Sequence, residues 1–221
     1  DSLNFVGAIS NDTTVRGGKG NDSIYAAAAV TQSTMSGDLG SDTLSFNVAV
    51  DQTSIYGGTL NGSTADGADS IDFAKGASQT QVFLDAGADT LTLTIGSNQV
   101  TAKGGTGNDS IDLVAGGSQI SILGEAGNDT LNFAASSDAV FDSGAGDDYI
   151  AGSGAQTNSS SVIAGAGADT LELTSNTGKY YAGAGADSLR ITVTSGSVFG
   201  GASAGDTAAG NDTLSIVSMA A

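Results

Sequence analysis

Aspartate carries most of the chemical potential of this sequence, and it recurs at nearly constant intervals. Ten segments read Gly, any residue, Asp, a hydroxyl-bearing residue, then Ile or Leu. Their aspartates are Asp22, Asp42, Asp69, Asp89, Asp109, Asp129, Asp148, Asp169, Asp187 and Asp212, and an incomplete copy, Asp1-Ser2-Leu3, opens the chain. The fullest copies are Gly17-Gly18-Lys19-Gly20-Asn21-Asp22 and Gly104-Gly105-Thr106-Gly107-Asn108-Asp109. Carboxylates at fixed spacing, in a chain of net charge −18 with 24 acidic side chains and only 6 basic ones, favour divalent cations. The same balance argues against nucleic acid, which requires Lys and Arg against phosphate, and against an anionic membrane surface.

Other chemistries lack their residues. There is no His and no Cys, so imidazole bases, thiol nucleophiles and thiolate metal sites are excluded. The glycines make no phosphate loop, since no Lys-Ser or Lys-Thr follows them and no helix begins there. Asp51, Asp72, Asp112, Asp138, Asp142 and Asp147 fall outside the pattern and are the remaining candidates for acid catalysis; the expectation is that the chain is not an enzyme. The absence of Cys gives no direction on redox compartment.

The elements that must hold the aspartates follow from the spacing. Most steps are 18 to 21 residues; the exceptions, 27 and 25, contain polar insertions at 59–66 and 202–209 that would loop out from the turn. After each Asp the apolar residues alternate, as in Leu44 and Phe46, Ile71 and Phe73, or Leu131 and Phe133, which is the strand period. A second apolar position precedes the glycines at Val15, Met35, Ile55, Val82, Ile122, Val162, Tyr180 and Val198. Polar bends such as Ser97-Asn98-Gln99, Gly117-Ser118-Gln119 and Ser136-Ser137-Asp138 lie between. Each unit therefore reads as two short strands and two turns. One pair cannot bury its apolar face alone, but stacked units can. The expected fold is all-β, a parallel β-solenoid of about ten coils of roughly 20 residues forming one domain over 1–221, a rod of about 50 Å at roughly 4.8 Å per coil. The absence of Pro fits strands that donate hydrogen bonds to both neighbours. No apolar run reaches 18 residues. The chain opens mid-pattern at Asp1 and is expected to be part of a larger protein.

Stacking sets the aspartates about 4.8 Å apart. Each neighbouring pair would repel by about 0.9 kcal/mol in water and roughly 3.5 kcal/mol at an effective dielectric of 20. Intercalated divalent cations would convert that repulsion into attraction. Aspartate also favours tight turns, but Asn or Ser would serve a turn as well, and all ten positions hold Asp.

The Gly-Gly-x-Gly-x-Asp copies and their alignment over nearly the whole chain resemble the RTX family of calcium-binding repeats, whose nonapeptide is a known calcium-binding β-helix signature. The resemblance implies several Ca2+ ions shared between adjacent coils. Asp carboxylates would bind them together with carbonyls aimed inward by glycines at Gly18, Gly20, Gly40, Gly87, Gly105, Gly107, Gly127, Gly146, Gly165, Gly167, Gly183 and Gly185. One motif per coil, where the family has two, places the ladder on one edge. In several copies the first two glycines are replaced, as in Leu84 and Asp85, and Asp38, Asp85 and Glu125 are either extra ligands or solvated charges. By resemblance the protein is secreted through a type I route, extracellular or on the cell surface. It would serve as a calcium-folded scaffold of a bacterial surface layer, matrix or filament, self-assembling, with cell-surface polysaccharide as a further candidate partner. Two alternatives stay open, an adhesin segment and the folding and secretion tail of an enzyme or toxin. An ice-binding solenoid fits less well, because the row Lys19, Leu39, Ala86, Thr106, Ala126, Ala145, Ala166 and Ala184 is not a threonine array.

Overall fold

Alternation after each aspartate sends Ile or Leu, and the residue two positions on, to one side of a strand and hydroxyl residues to the other. In the computed structural model, which describes residues 1–60, 66–94, 96–157, 159–193, 196–201 and 210–218, eleven such strands stack in parallel, from Ser2–Phe5 to Thr213–Ser218. This is the first sheet. Its register is strict: Leu44 lies beside Ile71, Ile71 beside Leu91, and Leu91 beside Ile111, all buried. The apolar positions before the glycines form a second sheet of ten parallel strands, from Thr14–Lys19 to Ser197–Phe199. Its inner row runs through Met35, Ile55, Val82, Ala102, Ile122, Phe141, Val162 and Tyr180.

The coil has three sides, where the sequence reads as two strands and two turns. The polar bends at Ser97–Asn98, Gly117–Ser118 and Ser136–Ser137 are strands of two residues each, as are Val30–Thr31, Val50–Asp51 and Ala77–Ser78. They form a six-stranded third sheet. Two residues are too few for alternation to register as a pattern. What turns the chain out of this sheet is a column of glutamines in the left-handed region, Gln32, Gln52, Gln79, Gln99 and Gln119, at φ of 47–55°. A side chain with a Cβ is costly there, by about 1 kcal/mol or more. The amides offset part of that by bonding along the rod, Gln32 Nε2 to Gln52 Oε1 at 3.0 Å and Gln52 Nε2 to Gln79 Oε1 at 2.8 Å.

The apolar residues of the three inner faces form one continuous cluster from Ile9 to Ile191. Stacked rings join successive coils and facing sheets, Phe46 on Phe73 at 4.9 Å and Phe133 on Phe141 at 3.8 Å. The first insertion does not break the stack: Thr43 pairs with Ser70 across it, and the Gly67 N–H donates to the Gly40 carbonyl at 3.1 Å. Residues 61–65 and the second insertion, 202–209, lie outside the described residues. Among the described residues no helix is long and apolar enough to cross a membrane.

Candidate metal ladder

The motif glycines bring each coil around so that its aspartate enters the first sheet at the same height as its neighbours. The carboxylates point inward. Asp22, Asp42, Asp69, Asp89, Asp109, Asp129, Asp148, Asp169 and Asp187 are each at most 3% exposed, while Asp212 is half-buried. One oxygen of each is used structurally. The backbone N–H of every ladder aspartate donates to Oδ1 of the aspartate in the following coil, from Asp22 to Asp42 through to Asp187 to Asp212, at 2.6–3.2 Å. The other oxygen is left over. Oδ2 of all nine buried ladder aspartates is inaccessible to solvent and has no hydrogen-bond donor.

The leftover oxygens face the first glycine of the motif, a position the sequence reading did not single out. A methyl on Gly17 would lie 2.7 Å from Asp22 Oδ2 and 2.5 Å from the Gly37 carbonyl oxygen of the next coil. On Gly104 it would lie 2.5 Å from both Asp109 Oδ2 and the Gly124 carbonyl. Gly37, Gly57 and Gly124 are placed in the same way against Asp42, Asp69 and Asp129. Each is a cradle holding one carboxylate oxygen and one carbonyl oxygen, a donor set suited to a hard cation such as calcium. In the coils of Asp89, Asp148, Asp169 and Asp187 the corresponding residues are Leu84, Ser143, Ala164 and Ala182, whose buried side chains occupy that space. No group of three acidic side chains among the described residues makes a metal site by itself, so a cation bound here would draw on backbone carbonyls as well.

Buried and undonated, the ladder carboxyls from Asp42 to Asp187 are raised in proton affinity. Burial is the main cause, and it pushes Asp69 up to about 8, Asp89, Asp129 and Asp169 to about 7, and Asp109 to about 6. Neighbouring carboxylates add to the shift at Asp69, Asp89, Asp129 and Asp169, and the bond from the preceding aspartate N–H opposes it. Asp42, Asp148 and Asp187 are raised for the same leading reason. At neutral pH Asp69, Asp89, Asp129 and Asp169 therefore favour a bound proton or a neighbouring cation over a bare charge.

The second glycine of the motif lies in the left-handed region at Gly18, Gly105, Gly144, Gly165 and Gly183, and three acids adopt that conformation in its place, Asp38, Asp85 and Glu125 at φ of 74–76°. Their surroundings differ. Asp38, expected as an extra ligand, has both oxygens bonded by Arg16 of the preceding coil, from Nε at 3.0 and 2.8 Å and from Nη2 at 2.7 Å, with Ser36 Oγ adding a bond at 2.8 Å. Glu125 pairs with Lys103 at 3.0 Å. Asp85 makes no ion pair among the described residues; beside it the first insertion delivers Asp66, whose Oδ1 accepts from the Gly40 and Gly67 N–H groups. Burial and Asp66 push Asp85 up to about 6. Asp66 belongs to the loop of the first insertion and stands directly before the motif glycine Gly67.

Removing Arg16 should therefore matter more than removing Lys103. The Asp38 side chain is 7% exposed, so Arg16→Ala leaves a buried carboxylate with Ser36 Oγ as its remaining side-chain donor and should lower the urea midpoint clearly. The Lys103–Glu125 pair is about 40% exposed on both sides, and Lys103→Ala should cost under about 0.5 kcal/mol. Urea midpoints in saturating calcium would separate the two. Equal costs would mean that Arg16 does not hold Asp38.

Stacked three-sided coils with one column of buried, half-satisfied aspartates define a parallel β-solenoid with an oxygen-donor ladder along one edge. The family model for the RTX calcium-binding nonapeptide repeat (4 copies) matches residues 9–29 and 121–140, so these two segments are similar to RTX calcium-binding repeats. The fold is similar to the X-ray crystal structure of a hyperactive, Ca2+-dependent, beta-helical antifreeze protein from an Antarctic bacterium. The TM-score is 0.63 at 23% sequence identity, covering 96% of this chain and 74% of that one. No curated protein matches the sequence.

Proposed function

We propose that this chain is a calcium-stabilised structural rod of a secreted or cell-surface protein, serving as a scaffold in a surface layer or extracellular matrix and not as an enzyme. The observation that carries this reading is the column of nine buried carboxylate oxygens without donors, running along almost the whole rod. Every coil of a scaffold is built to be held by the same ion, whereas a catalytic solenoid would concentrate its departures at one place. In calcium-poor cytosol the ladder repels itself and the chain stays loose; at extracellular calcium, binding to the native state alone stabilises it. Secretion and assembly with further copies follow from that folding step. A calcium-folded secretion tail and an adhesin stalk share this mechanism and differ in what is attached.

A second reading draws on the antifreeze neighbour. The first sheet carries an outward rank of hydroxyl residues, among them Thr43, Ser70, Thr90, Ser110, Thr130 and Thr170, one per coil, though Ser alternates with Thr and Tyr149 interrupts it. The turn row before the third glycine remains mostly alanine.

The test is far-UV circular dichroism of chelator-treated protein titrated with calcium or with magnesium, followed by electron microscopy and a thermal-hysteresis measurement. A calcium-specific gain of β-structure with sheets or filaments supports the scaffold. Thermal hysteresis without assembly supports the second reading. A chain fully folded in excess chelator and indifferent to calcium overturns both.

A further inference from the structure

The outer face of the first sheet is interrupted at one place. Its second outward rank runs Asp112, Asn132, Ala151, Glu172 and Arg190, residues held in register one coil apart. Ala151 is the one short side chain in that run, and the rank beside it is also small there, with Ala134 and Ser153. Long polar side chains therefore stand on either side of a notch two strand spacings wide, roughly 9.6 Å. It opens as a groove of about 480 Å3, within the size range of small-ligand sites. Its floor is rigid. Gly152 packs directly on Phe133, whose ring stacks on Phe141, so the backbone beneath the notch is supported from the core.

The rim groups are already oriented. Asn132 Nδ2 donates to Asp112 Oδ1 at 2.6 Å, and the Tyr149 hydroxyl donates to Glu172 Oε2 at 3.0 Å. Each carboxylate keeps an oxygen for another donor. Arg190, in register with Glu172, makes no ion pair among the described residues. Val114 adds exposed apolar surface to the lining, at 57% exposure.

This set excludes several ligand classes. Two carboxylates against one guanidinium, on a chain of net charge −18, disfavour an anion. The guanidinium disfavours a metal ion. Asp112 and Glu172 stand three strands apart, roughly 14 Å, so what the run complements is a chain of neutral rings whose hydroxyls donate to the two carboxylates in turn and accept from Arg190, with an apolar C–H face to lie against Val114. We infer that the groove over Ala151 is a binding subsite for a neutral hexose oligosaccharide, separate from the metal ladder. It goes beyond the scaffold reading and does not depend on it.

The test uses calcium-loaded protein and calorimetric titration with three neutral hexose oligomers, a β-1,4-glucan, an α-1,6-glucan and a β-1,4-mannan hexasaccharide, with an oligogalacturonate as the anionic comparison. At least one neutral oligomer should bind. Arg190→Ala and Glu172→Gln should each weaken binding about tenfold, the loss of one charge-assisted hydrogen bond. Ala151→Leu, which fills the notch from an outward position, should abolish it. Circular dichroism with calcium reports separately whether each variant folds; should Ala151→Leu not fold, the Arg190 and Glu172 variants decide. Absence of binding to all three neutral oligomers, binding of the oligogalacturonate alone, or unchanged affinity in the folded variants overturns the inference.

Discussion

Stripped of divalent cations, the protein should keep far more β-structure at pH 5 than at pH 8. The aspartates of the ladder titrate upward from their unfolded value near 3.8 because the fold buries them, Asp69 to about 8 and Asp89, Asp129 and Asp169 to about 7. A group whose folded pKa lies above its unfolded one binds its proton more tightly in the native state. Its contribution is present in full below about 3.8 and is lost as pH rises through the folded values of about 6 to 8. This runs opposite to ordinary acid denaturation, in which salt-bridged carboxylates lose stability as they are protonated. Several groups shift together, so the metal-free chain should unfold steeply between pH 5 and pH 8. Calcium at pH 8 should restore the β spectrum by taking the place of the protons, and calcium added near pH 7 should release protons measurable in a pH-stat. Ellipticity in chelator that is equal at pH 5 and pH 8, or lower at pH 5, would count against a buried and unpartnered ladder.

The second large effect is expected at a glycine. Gly107 has φ of 131°, a conformation that L side chains rarely adopt, and a methyl there would collide with the Gly87 carbonyl oxygen of the preceding coil. Its own N–H donates to the Ala126 carbonyl of the following coil at 2.8 Å. Gly107→Ala therefore cannot relax toward either neighbour without breaking a rung. We expect a loss of about 4 kcal/mol, combining backbone strain with a displaced coil in mid-rod. Gly7→Ala is the control: nothing lies within 4 Å of the added methyl, and its φ is not in the left-handed region. It should change stability by less than about 0.5 kcal/mol. Urea unfolding of both in saturating calcium provides the comparison, and equal midpoints would show that the coil-to-coil approach at Gly107 is not tight.

The sequence made the ladder legible because repetition supplied its own alignment. Asp22 through Asp212 could be superposed from their spacing, and the apolar alternation after each one marked the first sheet down to register. The third sheet was not legible, since Ser97–Asn98 or Gly117–Ser118 offers one inward residue per coil and no period can be read from one residue. The chemistry around Asp38 was hidden for another reason. Its partner Arg16 is one coil away in space but 22 residues away in sequence, outside the motif, so only the fold brings the two together. Asp66 was obscured by the insertion that carries it. The importance of Gly17, Gly37, Gly57, Gly104 and Gly124 followed from where Oδ2 points, which no spacing encodes.

The rungs formed by each aspartate N–H with the next carboxylate have a mechanical consequence. They tie every coil to its two neighbours and to nothing further away, with partners 18 to 27 residues apart. A pull on one end of such a rod loads only the outermost coil, and each coil that peels away pays out some 20 residues, about 70 Å of extended chain. Tension would therefore be met as a sequence of separate yields, each ending at the next intact rung, and a coil that rewinds finds its template still in place. The rod is built to lengthen under load in steps and to recover.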